Sequence, residues 1–264
     1  MRGRKGLKTS GAGIALLALL AMGMAAPLHA QEERLDSVKV NGHMRRFKMV
    51  LPEGLKADAP LVFVLHGYGS SYIKRKTYMH DAALAHGFAL CVPDGLSDPK
   101  GKRSWNVGYP QQAGWLEDPV SNLCKLAEVV QRRYKLSRQN TFLTGMSNGG
   151  DVCYLLAYRN QTTFRALASV SGQLMDDIYK GPSPKRPVPF MEIHGTADLT
   201  SRFDGDMANA GGWGRYLPVP LAVGAMVAHN RCTEERIEKR AGLTPDNGHS
   251  VTIHRYAGGD KDCA

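Results

Sequence analysis

Apolar residues along the chain form short continuous or alternating runs, and stretches with helical spacing lie between them. Leu61–Leu65 is a run of five apolar residues, typical of a strand buried on both faces. Before it, Asn41 and Gly42 separate two short runs at 37–40 and 45–50, and an Asn-Gly pair in that position predicts a β-hairpin. Strands that alternate with helices favour an α/β fold, with a mostly parallel sheet covered by helices on both faces.

The same periodicities predict the remaining elements. Further strands are expected at 88–92, 141–144, 166–170, 188–193 and 251–256. Helices are expected before Gly87, after Asp118, after residue 147 and at 219–229. Asp118 followed by Pro119 is typical of a helix start, because Asp caps free N–H groups and Pro fits the first turn.

The first 30 residues differ in pattern from the rest. Basic residues between Arg2 and Lys8 precede an apolar run at 14–22, and Ala30 precedes a polar stretch. This arrangement predicts a secretory signal peptide cleaved after Ala30. The run is shorter than the roughly 20 residues that span a bilayer, so no membrane anchor is expected after cleavage. The sequence therefore predicts a secreted protein with one domain over residues 31–264.

Charge and cysteine content narrow the candidate partners. The formal net charge is +10, and removal of residues 1–30, with four basic and no acidic residues, leaves +6. The densest basic groups, at 74–76 and 132–133, lack the interleaved aromatic residues of a nucleic-acid surface, so no nucleic-acid partner is expected. The cysteines do not have the spacing of a zinc site, and no metal is predicted. They are an odd number: Cys91, Cys124, Cys153, Cys232 and Cys263.

The segment Gly145-Met146-Ser147-Asn148-Gly149 carries the strongest chemical signal. It fits the G-x-S-x-G nucleophile elbow, in which small residues allow a tight strand-to-helix turn to expose a serine hydroxyl. A Gly-rich turn at a strand end could match by chance. Here a predicted strand precedes the motif and an amphipathic helix follows it, so Ser147 is predicted to be a nucleophile.

Acyl transfer also requires N–H donors for the developing oxyanion. The amide of Asn148, directly after the serine, is one expected donor. The loop after Leu65 is expected to provide the second, with Tyr68 preferred and Gly69 as the alternative. His66, at the start of this loop, is interpreted as structural.

The acid and the base of a catalytic triad should follow the serine in that order. Asp198 comes after the strand predicted at 188–193 and is the predicted acid, with Asp204 and Asp206 as alternatives. Three histidines follow Asp198, and none is predicted to lie on a suitable loop. They are His229, His249 and His254.

Five motifs in order resemble the secreted polyhydroxybutyrate depolymerase-like esterases, a group that includes the feruloyl and acetylxylan esterases of carbohydrate esterase family 1. They are His66-Gly67, Ser104-Trp105-Asn106, Gly145–Gly150, His194–Asp198 and Asn230-Arg231-Cys232. The resemblance implies an α/β-hydrolase fold, Ser147 as nucleophile, Asp198 as acid, and a disulfide between Cys232 and Cys263. Members of the family continue with another strand and a Gly-rich segment that carries the catalytic histidine. The sequence is therefore expected to be a C-terminally truncated member without its last strand, last helix and histidine.

These features predict a serine esterase that requires no cofactor. The first expected substrate is a feruloyl or acetyl ester of plant cell-wall polysaccharide, and the second is a hydroxyacid polyester. Trp105 and Trp213 are candidates for stacking on a sugar or phenolic ring, although ordinary packing explains either of them equally well. The alternative from another class is a catalytically silent, hydrolase-like binding protein. Peptide hydrolysis is a third possibility, without specific support in the sequence.

Overall fold

A computed structural model describes residues 31–242, 244 and 248–263. The predicted signal peptide lies outside these residues, and its cleavage after Ala30 stays a prediction. None of the helices in the described ranges is long and apolar enough to cross a membrane.

Among the described residues, seven strands form the central sheet in the order β1-β2-β4-β3-β7-β8-β9. The strands from β4 to β9 in this order are parallel, and the β1–β2 hairpin adds an antiparallel edge. Four further strands form two small separate pairs, β5 with β6 and β10 with β11. The strands are β1 Gln31–Val40, β2 His43–Pro52, β3 Leu61–Leu65, β4 Ala89–Pro93, β5 Leu96–Ser97, β6 Arg103–Ser104, β7 Thr141–Met146, β8 Leu167–Val170, β9 Phe190–Ile193, β10 Glu234–Ala241 and β11 Ser250–Ala257.

In the part of the chain that the structure describes, five α-helices connect or follow these strands. They are α1 His80–Ala85, α2 Pro119–Tyr134, α3 Asn148–Tyr158, α4 Asp176–Tyr179 and α5 Val219–Asn230. The start of α2 agrees with the sequence, because the Asp118 carboxylate accepts the N–H groups of Val120 and Ser121.

The central strand β3 separates two hydrophobic cores. Leu61, Phe63 and Leu65 face the larger core, which contains the buried sides of α2 and α3. Val62 and Val64 face the smaller core, which contains Ala83 and Leu84 of α1. Since successive strand residues point to opposite faces, both faces must be covered when all five positions are apolar. The expected α/β architecture is confirmed.

The C-terminal part of the described chain differs from the expectation in one respect. A strand at 251–256 is present as β11, but it pairs only with β10 in a separate antiparallel ribbon. Strand β10 was not predicted, because its sequence, with burial on neither face, lacks an apolar period. In the described ranges no strand pairs with the outer side of β9, and Met191 and Ile193 are 57% and 53% exposed.

Candidate active site

Ser147 lies at the sharp turn between β7 and α3. Its backbone angles are φ 54° and ψ −123°, a conformation that non-glycine residues rarely adopt. Its N–H donates to the carbonyl oxygen of Val170 in β8 at 2.8 Å, and its own carbonyl accepts the N–H of Asp151 in α3. The turn is therefore held from the sheet and from the helix, as a nucleophile elbow requires.

Close backbone approach explains the glycines on either side of Ser147. A Cβ atom on Gly145 would lie 2.1 Å from the carbonyl oxygen of Gly149, and one on Gly149 would lie 2.8 Å from the carbonyl oxygen of His66. Gly150 packs equally tightly, against Gly172. Side chains at these positions would push the helix away from the strand, so the sequence motif follows from the shape of the turn.

The loop after β3 lies beside Ser147, as the oxyanion prediction requires. The Gly69 N–H donates to the carbonyl oxygen of Arg103 at 2.8 Å, so it cannot also bind an oxyanion. In the described ranges, no backbone carbonyl of a turn, loop or cap accepts the N–H of Tyr68 or Asn148. Between the two loop candidates, this geometry favours Tyr68.

The buried ring of His66 holds this loop through hydrogen bonds to backbone groups. Its ring is buried, with Nε2 accepting the N–H of Gly95 at 2.9 Å and Nδ1 donating to the carbonyl oxygen of Gly67 at 2.7 Å. Burial lowers the pKa of His66, which favours the neutral ring. The residue thus holds backbone in place, in agreement with its structural interpretation.

The prediction that Trp105 stacks on substrate is wrong. It is 1% exposed, and its indole Nε1 donates to the carbonyl oxygen of His66 at 3.0 Å. Its backbone N–H and carbonyl bind the side chain of Asn148, at 2.9 and 3.0 Å. A ring that is buried under the nucleophile loop cannot stack on a substrate, so Trp105 is part of the scaffold.

Trp213, by contrast, lies in the cleft that contains Ser147. Its ring centroid is 5.3 Å from that of Tyr68 and 5.4 Å from that of Tyr109, both in edge-to-face geometry. Three aromatic rings therefore form one wall of a small cleft at the nucleophile. The lining residues are Tyr68, Tyr109, Ser147, Gln173, Thr200, Ser201 and Trp213.

Buried carboxylates hold this aromatic wall. The Tyr68 hydroxyl donates to Asp98 at 2.6 Å, and burial together with this bond raises the pKa of Tyr68 to about 12. Burial works to raise the pKa of Asp98, but the Tyr68 hydroxyl and backbone N–H donors outweigh it and lower that pKa. Asp206 accepts the N–H groups of Ala210 and Gly211 and so shapes the loop that carries Trp213. Sequence reasoning did not identify Asp98, since its role depends on a contact 30 residues away.

Asp198 lies on the loop after β9, at the expected edge of the sheet. Its carboxylate accepts the N–H groups of Thr200 and Ser201, both at 2.8 Å. These two residues line the cleft together with Ser147. The structure thus brings the Asp198 loop to the nucleophile and shows its carboxylate as a turn cap. Asp206, one alternative acid, is engaged in the Trp213 loop, and the triad role of Asp198 stays a prediction.

No histidine lines the cleft among the residues that the structure describes. His229 donates through Nε2 to the carbonyl oxygen of Arg186, and His254 Nδ1 forms a hydrogen bond with the carboxylate of Glu235 on the β10–β11 ribbon. His249 lies beside that ribbon, where its carbonyl accepts the N–H of Gly242. None of the three is therefore placed as a base for Ser147.

His194 is close to this region but engaged. Its Nδ1 lies 3.0 Å from the carboxylate of Glu192, and its Nε2 lies 2.7 Å from the carbonyl oxygen of Ser201. Burial works to lower the pKa of His194, but the Glu192 carboxylate and the Ser201 carbonyl outweigh it and raise that pKa. With both ring nitrogens bound, His194 ties the end of β9 to the Asp198 loop.

The predicted disulfide partners are neighbours. Cys232 Sγ lies 3.8 Å from the carbonyl oxygen of Cys263, but Cys232 is a thiol in the structure, so the bond is not formed there. A disulfide between them stays a prediction. Within the described ranges, no three His, Cys, Asp or Glu side chains are arranged to hold a metal ion.

Comparisons with known proteins agree with this geometry. Residues 38–233 match the model of the Esterase family, described as "Putative esterase". "Putative esterase NocK" of Nocardia uniformis subsp. tsuyamanensis is 30% identical over 180 residues, which cover 64% of this chain and 49% of that protein. "Feruloyl esterase C" of Emericella nidulans is 27% identical over 215 residues, which cover 75% of this chain and 73% of that protein. The chain thus spans about half of the first relative.

A solved structure supports the fold. The acylaminoacyl peptidase of Pyrococcus horikoshii aligns with a TM-score of 0.56 and 16% identity, covering 77% of this chain and 36% of that one. With the mostly parallel sheet and the elbow at Ser147, this likeness identifies the architecture as an α/β-hydrolase fold. The chain belongs to the Esterase family of α/β-hydrolase proteins.

Proposed function

We propose that the protein is a serine hydrolase of carboxylic esters with Ser147 as its nucleophile. Ser147 Oγ attacks the ester carbonyl carbon, and the N–H groups of Tyr68 and Asn148 bind the resulting oxyanion. The alcohol leaves with a proton, and the acyl group remains on Ser147. Water then cleaves this acyl-enzyme, releasing the acid and restoring the serine.

One observation carries the proposal: Ser147 has strained φ and ψ angles at an elbow that opens into an aromatic cleft. Strain of this kind costs on the order of 1–3 kcal/mol and persists where the surroundings enforce it. Here Gly145 and Gly149 leave room for the strained turn, and β8 holds it through the Ser147 N–H. A structural turn would not need the serine side chain to face a cleft.

The preferred substrate is an ester with a phenolic acyl group, such as a feruloyl group on plant cell-wall polysaccharide. The rings of Tyr68, Tyr109 and Trp213 offer edges and faces for such a group next to the nucleophile. The similarity to "Feruloyl esterase C" of Emericella nidulans supports a feruloyl ester as the substrate. Acetyl esters and hydroxyacid polyesters are the alternative substrates. The basic and apolar segment within residues 1–30 supports secretion.

A second candidate is a silent binding protein with the same cleft. The observation that favours it is the absence of a histidine from the cleft within the described ranges. Without a base, oxyanion binding and substrate positioning still leave slow turnover, roughly 10³–10⁴-fold above water in related triads. A binding protein would show no dependence on Ser147 at all.

Hydrolysis of p-nitrophenyl acetate and p-nitrophenyl ferulate separates the two candidates. Both esters release the same leaving group, so any difference between them reports on the acyl side. We expect Ser147→Ala to lower the rate on both esters well below that of the unmodified chain. Ser171→Ala is the matched control, because Ser171 also has a positive φ and directly follows a strand of the central sheet, β8. Unlike Ser147, it does not line the cleft. Equal rates for the unmodified chain and Ser147→Ala would exclude esterase activity.

A further inference from the structure

Asp151 is a buried carboxylate that the proposed reaction does not use. It lies in the first turn of α3, four residues after Ser147, and is 1% exposed. An ionised carboxylate in such a position is costly unless hydrogen bonds compensate for the lost water. Its presence directly beneath the nucleophile therefore calls for a role.

Both oxygens of Asp151 bind residues of the cleft wall. Oδ1 accepts the backbone N–H of Gln173 at 2.7 Å, and Oδ2 accepts the hydroxyl of Tyr109. Tyr109 and Gln173 both line the cleft with Ser147. One side chain on the nucleophile helix thus holds two of the residues that line the cleft.

The backbone around Gly172 is shaped for this contact. A Cβ atom on Gly172 would lie 2.6 Å from the carbonyl carbon of Gly150 and 2.1 Å from Ser169 Oγ. Only glycine allows the loop after β8 to approach α3 this closely. The approach brings the Gln173 N–H within reach of Asp151.

The charged and titratable groups around Asp151 come from several elements. Burial raises its pKa to about 7, and Glu192 adds to this, while the Tyr109 hydroxyl, the Gln173 N–H and His194 oppose it. Tyr216, Tyr154 and Cys153 also face this region, and burial raises their own pKa values, so they remain neutral. Unlike Glu192, which bonds to His194, Asp151 bonds directly to two residues that line the cleft.

We propose that Asp151 is a positioning residue that fixes the Tyr109–Trp213 wall relative to Ser147 and so sets the affinity for aromatic acyl groups. The inference rests on the proposed function and specifies its acyl site. Tyr109 transmits the effect, since its ring packs edge-on against Trp213 while its hydroxyl is held by Asp151. A small acyl group such as acetyl has no ring to pack against Tyr109 and Trp213, and we expect it to be insensitive to Asp151.

The test compares Asp151→Asn, Tyr109→Phe and the double variant with the unmodified chain. Asn replaces one accepting oxygen of Asp151 with an amide NH₂ group, and loss of one hydrogen bond to a buried carboxylate corresponds to about tenfold in affinity. We expect Asp151→Asn to raise KM for p-nitrophenyl ferulate about tenfold and to leave kcat/KM for p-nitrophenyl acetate within about twofold. In the double variant the effects should not add, because both changes break the same bond. Asp176→Asn is the matched control, a buried carboxylate paired with Lys180 and outside the cleft lining.

Two further readouts separate this inference from the proposed function. Binding of free ferulate, followed by quenching of tryptophan fluorescence, needs no catalysis and should weaken about tenfold in Asp151→Asn. The dependence of that affinity on pH near 7 should disappear in the same variant. Unchanged ferulate binding, or an equal loss on both esters accompanied by a lower melting temperature, would overturn the positioning role. If Ser147→Ala and the unmodified chain hydrolyse equally while ferulate binding responds to Asp151→Asn, the esterase proposal alone fails.

Discussion

Gly67 lies directly against Ser147, so that a Cβ atom on Gly67 would be 3.3 Å from the Cβ and 3.8 Å from the Oγ of the serine. The loop that carries the candidate oxyanion donor and the elbow that carries the candidate nucleophile are therefore in contact. A methyl group at Gly67 would therefore make a tight contact with Ser147, which only a shift of a few tenths of an ångström in the loop or the elbow would relieve.

This contact predicts the effect of Gly67→Ala. The added methyl group displaces the Tyr68 loop from the elbow, and we expect kcat on p-nitrophenyl acetate to fall at least tenfold while the protein remains folded. Gly195→Ala is the control, because a Cβ at Gly195 meets no atom within 4 Å. Circular dichroism and ester hydrolysis measured on both variants check the prediction, and full activity of Gly67→Ala would contradict it.

The side chain of Asn148 should stabilise the fold independently of the oxyanion role proposed for its backbone N–H. Its buried side chain forms two hydrogen bonds with the Trp105 backbone, one as acceptor and one as donor. Asn148→Ala leaves the Trp105 N–H without this partner, and we expect the free energy of unfolding to fall by about 3 kcal/mol in urea titrations. Equal stability of Asn148→Ala and the unmodified protein would show that this bridge contributes nothing.

Substitution of Trp105 and of Trp213, both predicted from the sequence to bind substrate, should affect different properties of the protein. Trp105→Phe removes the bond to the His66 carbonyl within the core, and we expect it to lower unfolding free energy by about 1–3 kcal/mol with ferulate affinity unchanged. Trp213→Phe alters the partly buried aromatic wall of the cleft, and we expect weaker ferulate binding with little change in stability. Denaturant titration and fluorescence quenching give both quantities for each variant. The reverse assignment of effects would contradict the burial seen here.

The raised pKa of Asp151 predicts a pH dependence of stability. In the unfolded chain an aspartate titrates near 3.9, whereas burial raises the pKa of Asp151 in the folded protein to about 7. The folded state then binds more protons between these values, so the contribution of Asp151 to stability falls as pH rises from about 4 to 7. At about 1.4 kcal/mol per pKa unit the loss is at most ~4 kcal/mol.

Asp151→Asn removes this titration. We expect the difference in unfolding free energy between the unmodified chain and Asp151→Asn to shift with pH in favour of the variant between pH 4 and 7. Thermal or urea unfolding at several pH values measures the difference directly. A difference that stays constant over this range would show that Asp151 is ionised throughout.

Local sequence patterns predicted most of the sheet and the nucleophile turn. Residues only a few positions apart determine three of these features, so the sequence pattern is enough to predict them. They are the apolar strand β3, the capped start of α2 and the elbow at Ser147. Strand β10 was missed because neither of its faces is buried, which leaves no period to detect.

The side-chain network of the cleft could not be predicted in the same way. Asp98 meets Tyr68 across 30 residues, and Asp151 meets Tyr109 across 42. Trp105 occurs next to Asn106 in a polar, loop-like stretch, yet the fold buries it beneath His66. Contacts at this separation depend on the packing of the loops at the carboxyl edge of the sheet, which a single sequence does not encode locally.

Trapping of an acyl-enzyme is the most direct measurement of the role of Ser147. Ester hydrolysis by a serine nucleophile passes through an acylated serine, which rapid acid quenching preserves for detection. After incubation with p-nitrophenyl acetate and rapid acid quenching, mass spectrometry should find one acetyl group on the peptide that contains Ser147, and none on that peptide in Ser147→Ala. An unmodified Ser147 peptide alongside ester turnover, or equal acetylation elsewhere in both proteins, would contradict the assignment of Ser147 as the nucleophile.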